Sequence, residues 1–291
     1  MNAVLIIQAA IGGLIMGSVY ALLGVGFSLV WGVMKVVNIA HPAFGLLGAY
    51  LAYWLLKVAH LDPLLSLSVS APFLFILGLI VYRLLIKPVT RARDTVVSSM
   101  IVTVGLAIVI QNVIMLIWDP DPRLLKPVYA SKVFIVGPIY LQATHLAALG
   151  LAVVGITGLH LFLRHTLSGK AVRAAWQQPD AAQIHGISLT RISALSFGLA
   201  LATAALGGVG LAFLYTFDPN SHNFWLIYLF LVVIAGGVGN LMGSALAGLM
   251  LGLITGLSLA FLPYQWVNLI TFGLLMVMLL LRPYGLFKQG S

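Results

Sequence analysis

Seven histidines, six aspartates and no glutamate or cysteine are the side chains on which this chain could build chemistry. Without cysteine there is no disulfide, no thiolate metal site and no thiol nucleophile. Without glutamate no H-E-x-x-H zinc motif can form. His160 and His165 stand five residues apart, so on a helix they do not converge as residues four apart do. The Gly169 and Lys170 pair is followed by Ala171, which rules out a G-x-x-x-x-G-K-[ST] phosphate loop. Gly237 and Gly239 open a G-x-G-x-x-G that fails at Met242, with no strand before it, and no G-x-S-x-G elbow occurs. What remains is polar rather than catalytic: Asn38 and His41 beside Pro42, Gln111 with Asn112, and one long interval in the middle of the chain.

That interval, RHTLSGKAVRAAWQQPDAAQIHGISLTR over residues 164–191, carries helix signals rather than the composition of a tail. Pro179 suits a first helical position, and Asp180 lies in the first turn, where its charge complements the helix dipole. Gly186 suits the left-handed residue that ends a helix. The spacing predicts a short helix over 179–185, preceded by another over 170–176. Ala181, Ala182 and Ile184 give it an apolar face, which either a soluble partner or the membrane surface would cover.

The elements that must position these residues are apolar spans. Of 291 residues 62% are hydrophobic and 7% charged, a composition from which no soluble surface can be built. Unbroken apolar runs of the length that crosses a ~30 Å hydrocarbon layer recur along the chain, which argues for helices rather than an alternating β-barrel. The expected fold is an all-α, polytopic transmembrane bundle, one domain over 1–291. Its nine spans are 5–34, 43–58, 64–82, 95–117, 141–163, 192–214, 224–238, 241–261 and 264–281, or eight if the short seventh and its neighbour form one broken element. The first residues, MNAVLIIQAA, lack a basic stretch, and no A-x-A site ends a short apolar core. The first span is therefore expected to serve as the insertion signal.

Charge sets the orientation. With 164–191 in the cytoplasm, the outer side keeps Lys57, Arg123, Lys126 and Lys132 against Asp62, Asp119, Asp121 and Asp218, and the whole net charge of +9 falls inside. By the positive-inside rule the N-terminus is outside and the C-terminus cytoplasmic, and the excess of basic residues calls for no nucleic-acid partner. The short basic connection after the third span, 83–94, is either part of this signal beside anionic headgroups or a docking site. No charge lies mid-span, which weighs against a proton-driven carrier and leaves sodium coupling open.

Asn38 and His41 admit two readings: the polar lining of a broken element beside a pathway, or a cytoplasmic turn facing water. Gln111 and Asn112, toward the outer end of span four, would bond between helices or contact cargo. Gly248, Gly252 and Gly256, extended backward by Ser244, form a ladder for close helix packing. In the outer loop 118–140, four prolines forbid a long helix, and VFIVGPIYL reads as an extended pair turning at Gly137 and Pro138. This loop would receive a soluble partner or cap the helices.

Four stretches in order resemble the permease subunits of branched-chain amino acid ABC transporters. They are GSVYALLGVGFSLVWGVMKVVNIAHPAFGLLGAY from Gly17, AVRAAWQQPDAAQIHGISLTRISALSFGLALATAALGGV from Ala171, VVIAGGVGNLMGSALAGLMLGL from Val232 and LLRPYGLF from Leu280. The resemblance implies a bacterial inner-membrane subunit lining a passage for small aliphatic amino acids, which a solute-binding protein delivers from outside. It implies a second, related permease and ATP-binding subunits as partners, with ATP and Mg²⁺ used by those subunits and no cofactor or metal bound by this chain. It implies an energy-coupling loop that docks into the ATPase, carried here by Arg173, Gln177, Gln178, Pro179, Asp180, Ala182 and Gly186. Two positions depart from the family pattern: Gln178, where an acidic residue is frequent, and Pro42, where glycine is. Related permeases carry amides or urea, so the cargo stays open, and a stand-alone ion-coupled carrier is the rival from another class.

Overall fold

The computed structural model describes residues 3–281 and Gly285. Its helices are α1 (Ala3–Met34), α2 (His41–Ala59), α3 (Pro63–Val81), α4 (Lys87–Val89), α5 (Thr95–Trp118), α6 (Ala143–His165), α7 (Leu167–Gln177), α8 (Pro179–Ile184), α9 (Leu189–Leu214), α10 (Ser221–Gly236), α11 (Leu241–Phe261) and α12 (Tyr264–Leu281). One antiparallel hairpin, β1 (Val133–Val136) and β2 (Ile139–Gln142), turns at Gly137, whose φ is +59°. Seven helical segments among the described residues are long and apolar enough to cross a membrane, so the chain is a multi-pass, all-α membrane protein.

One span runs well past its expected end. The third span runs on through a π-helical turn, Tyr82–Ile86, and α4 to Val89, where a connection was expected from residue 83. The π turn, in which the Lys87 N–H reaches the Tyr82 carbonyl, loosens the ladder just before Pro88, whose ring would otherwise press on a carbonyl four residues back. Further along, α10 and α11 are separate helices, as the nine-span reading has them, because Gly237 and Gly239 at φ +91° and +78° reverse the chain between them. With 16 residues α10 is about 24 Å long, short of a full hydrocarbon crossing.

Lipid tails are as apolar as leucine, so the spans associate through close backbone packing. The ladder Gly248, Gly252 and Gly256 lies on α1 in antiparallel order, against Ala21, Gly17 and Gly13. A Cβ on Gly17 would stand 2.6 Å from the Gly248 carbonyl oxygen, so nothing larger than hydrogen fits. One turn further on, Ser244 and Ser28 close a buried hydroxyl pair at 2.6 Å. At the centre, α9 packs on α1, α2, α3 and α6 and is 78% buried over its apolar window, whereas α5 at the rim is 17% buried.

The connections gather at two ends. At one, Gln8 pairs with the Tyr140 backbone, the Tyr129 hydroxyl reaches the Asp62 carboxylate, and Arg123 bridges Phe217 through the main chain. Burial and then the Asp62 charge push the Tyr129 phenol above its usual range. At the other end lie α7, α8 and the α10–α11 turn, with Gly285 against Gly237. Arg282, Lys288 and all of the LLRPYGLF stretch except Leu280, Leu281 and Gly285 fall outside the described residues.

Candidate functional site

The central interval is built from caps. Thr166 ends α6 and starts α7, its Oγ1 accepting the Gly169 N–H at 2.9 Å. Gly169 permits the sharp return, since a Cβ there would stand 2.6 Å from the Leu163 Cα. Val172 and Ala175 then face inward, onto Val25, Leu29, Leu159, Leu163 and Ile192, while Arg173 and Gln177 face out. An extended Gln178, φ −146°, breaks the helix, Pro179 and Asp180 open α8, and Gly186 at φ +80° closes it. The Gly186 N–H donates to the Gln183 carbonyl at 2.9 Å and the Ile187 N–H to the Ala182 carbonyl at 3.0 Å, the paired bonds of a Schellman ending.

The outward face of this pair is concave. Ala174, Gln177, Gln178, Ala181, Ala182, His185 and Ile187 line a groove of about 530 Å³. Arg173, Gln178, Pro179, Asp180 and Gly186 are exposed around it, and Ile184 projects at 84% exposure. Ala182 differs from the expected apolar face: its side chain is buried, so it seats α8 rather than presenting it.

Sequence reasoning passed over the residue that ties the pair to the spans. The Trp176 indole lies on Gly32, where a Cβ would stand 2.7 Å from its Cε2, and beside Gly239 in the α10–α11 turn. One side chain of α7 thus rests on the end of α1 and on the turn that opens α11. The signal was a lone tryptophan in an otherwise polar loop.

Asn38 and His41 are brought together by the bend between α1 and α2, and both are buried, which overturns the reading of a turn facing water. The irregular backbone here is satisfied from α5: the Val37 N–H donates to Ser99 Oγ at 3.1 Å and the Ile39 N–H to Thr103 Oγ1 at 3.0 Å. Thr103 donates in turn to the Val37 and Ser99 carbonyls, at 3.1 and 2.7 Å. Such hydroxyl support is what non-helical backbone inside a membrane needs. Ser99 and Thr103, four apart in an apolar span, were the legible sign of it. The side chains of Asn38 and His41 have no protein partner of good geometry; the His41 ring faces the Leu23 backbone without closing a bond and meets Phe27 edge-on at 6.0 Å. Gln111 and Asn112 sit elsewhere. Gln111 Nε2 bonds Asn220 Oδ1 at 2.5 Å, and exposed Asn112 bonds back to the Ile108 carbonyl at 2.8 Å.

Fold and loop together define a polytopic membrane protein with a capped helix pair outside its spans and no phosphate loop in its sequence. The chain belongs to the family described as branched-chain amino acid transport system, permease component, which matches residues 9–280. It is 28% identical to the high-affinity branched-chain amino acid transport system permease protein BraD of Pseudomonas aeruginosa, over 97% of this chain and 96% of that one. It is 26% identical to the corresponding permease protein LivH of Escherichia coli, over 97% and 96%. To a probable LivH of Methanocaldococcus jannaschii it is 28% identical, over 94% and 90%. No solved structure gives a significant match.

Proposed function

We propose that the chain is the permease subunit of an ATP-driven importer for branched-chain, aliphatic amino acids. The observation that carries this reading is the α7–α8 pair: two short helices packed on the ends of the spans, grooved on the outside and seated by Trp176 on α1 and the α10–α11 turn. The relatives' names supply the cargo class.

In this mechanism an ATP-binding subunit docks on the groove between Gln177 and His185, contacting Arg173, Gln178, Pro179 and Asp180. ATP and Mg²⁺ act there, and this chain contributes no cofactor or metal ligand. Closure of the ATPase displaces α7 and α8 as a unit. Through Trp176 the displacement reaches α1 and α11, which the glycine ladder locks together, so the two move as one body. A second, related permease completes the passage, and a solute-binding protein delivers cargo at the opposite end. The concentration of basic residues at the α7–α8 end supports a cytoplasmic position for it, with the chain in a bacterial inner membrane and the N-terminus outside. Asn38 and His41, sealed in this conformation, become pathway groups when the bend between α1 and α2 opens.

Reconstitution tests the proposal. Vesicles holding both permeases and the ATP-binding subunits should take up leucine, isoleucine or valine only with ATP and the loaded binding protein. Uptake by this chain without any ATPase would refute it, and preference of the binding protein for urea or short amides would reassign the cargo.

A further inference from the structure

At the end of the bundle away from α7 and α8, the β1–β2 hairpin poses a packing problem. All four residues of β1, Val133, Phe134, Ile135 and Val136, are exposed, with Ile135 at 65%, and so is Tyr140 on β2. Successive strand residues point to opposite faces, so an apolar strand with no alternation needs cover on both sides. A protein docked on one face would leave the other in water.

The depth of the hairpin follows from its ties. Gln8 Nε2 donates to the Tyr140 carbonyl at 2.7 Å, and the Tyr140 N–H donates to Gln8 Oε1 at 3.0 Å. Gln8 is not the outermost turn of α1. Val4, Leu5, Ile6 and Ile7 lie beyond it, all exposed and apolar, so Tyr140 is level with a stretch of α1 that belongs in lipid. β2 also runs into α6 with no residue between Gln142 and Ala143, and the Ala143 N–H closes the base of the hairpin on the Lys132 carbonyl at 3.0 Å. The hairpin is thus tied to the ends of both α1 and α6.

We propose that the hairpin is a membrane-surface anchor, lying in the headgroup–acyl boundary of the leaflet at that end with both faces in lipid. The unpaired edge of β1 limits how deep it goes, because hydrocarbon would leave those backbone groups unbonded whereas headgroups and water bond them. Tyr140 is a residue type that favours this layer, Phe134 adds apolar surface to it, and exposed Lys132 stands at the hairpin base, within reach of phosphate. The role requires only that the chain sits in a membrane, so it stands or falls separately from the cargo.

The chain has no cysteine, so single-cysteine variants carry one spin label each. Full-length Phe134→Cys and Ile135→Cys, labelled and reconstituted in phosphatidylcholine–phosphatidylglycerol vesicles, are compared with Asp121→Cys as a water-exposed control and Val154→Cys as an exposed mid-span control. Both hairpin labels should collide with oxygen several-fold more than with a water-soluble nickel chelate, as at position 154 and opposite to position 121. These consecutive residues face opposite ways, so lipid on both is the diagnostic result. Nickel access at either site, or shielding of either from both reagents, as a second copy of the chain would produce, overturns the proposal. So does a change in either label on adding the solute-binding protein.

Discussion

Gly12 and Gly17 sit on the same helix, five residues apart, and give opposite predictions for one substitution. A Cβ on Gly12 meets nothing within 4 Å. On Gly17 it would stand 2.6 Å from the Gly248 oxygen and 3.0 Å from the Gly252 Cα, roughly 0.8 Å short of ordinary contact at 3.4 Å. Those neighbours are backbone, so relief requires α1 and α11 to part along a face where Gly13 and Gly256 are equally close. Overpacking of this kind costs about 1–3 kcal/mol. The gain in helix propensity from Gly to Ala, about 1 kcal/mol, is common to both variants and cancels in the comparison. Gly17→Ala should therefore be about 1–3 kcal/mol less stable than Gly12→Ala, a gap in melting temperature of about 2–12 °C at 2–4 °C per kcal/mol. The assay is thermal unfolding of both purified variants in one detergent. Equal melting temperatures would mean that the two backbones do not touch, and that α1 and α11 are free to move separately.

Trp176→Ala should leave the spans assembled but lower transport per ATP hydrolysed several-fold, with Trp176→Phe retaining more; paired uptake and ATPase measurements in vesicles read this, and an unchanged ratio would remove Trp176 from the coupling path. Gly186→Val places a β-branched residue at φ +80°, a conformation that costs about 1–2 kcal/mol, and should uncouple hydrolysis from transport while the purified chain keeps its elution profile. Normal transport in that variant would separate the end of α8 from docking. Thr103→Val strips the acceptor from the half-buried Ile39 N–H and should destabilise by about 1–3 kcal/mol, whereas Thr103→Ser should stay near the parent in thermal unfolding.

What was legible in the sequence was what local chemistry decides. Pro179 and Gly186 mark helix ends because ring geometry and a positive φ act within a few residues, and α8 ends where Gly186 stands. The turn at Gly137 and the ladder from Gly248 to Gly256 were readable for the same reason. Trp176 was not, because its meaning lies in Gly32 and Gly239, which come from two other segments. Ala182 was misassigned to the apolar face because spacing on a six-residue helix does not say which side meets the bundle.

The bend at Asn38 shows the same limit and carries a further consequence. Its backbone bonds come from Ser99 and Thr103, more than sixty residues away, so spacing around Asn38 and His41 could not tell a buried bend from a wet turn. Four side-chain atoms there, Oδ1 and Nδ2 of Asn38 and both ring nitrogens of His41, are buried without a protein partner. Each unmet group costs about 1–3 kcal/mol, so a bundle that retains them must satisfy them with bound water or in another conformation. The bend is clasped to α5, the least buried of the long apolar spans, by the hydroxyls of Ser99 and Thr103. Release of that clasp frees the bend without disturbing the glycine-locked pair α1 and α11. Movement within the chain is therefore expected at the α2–α5 side, while α1 and α11 carry the push from Trp176 as a rigid strut.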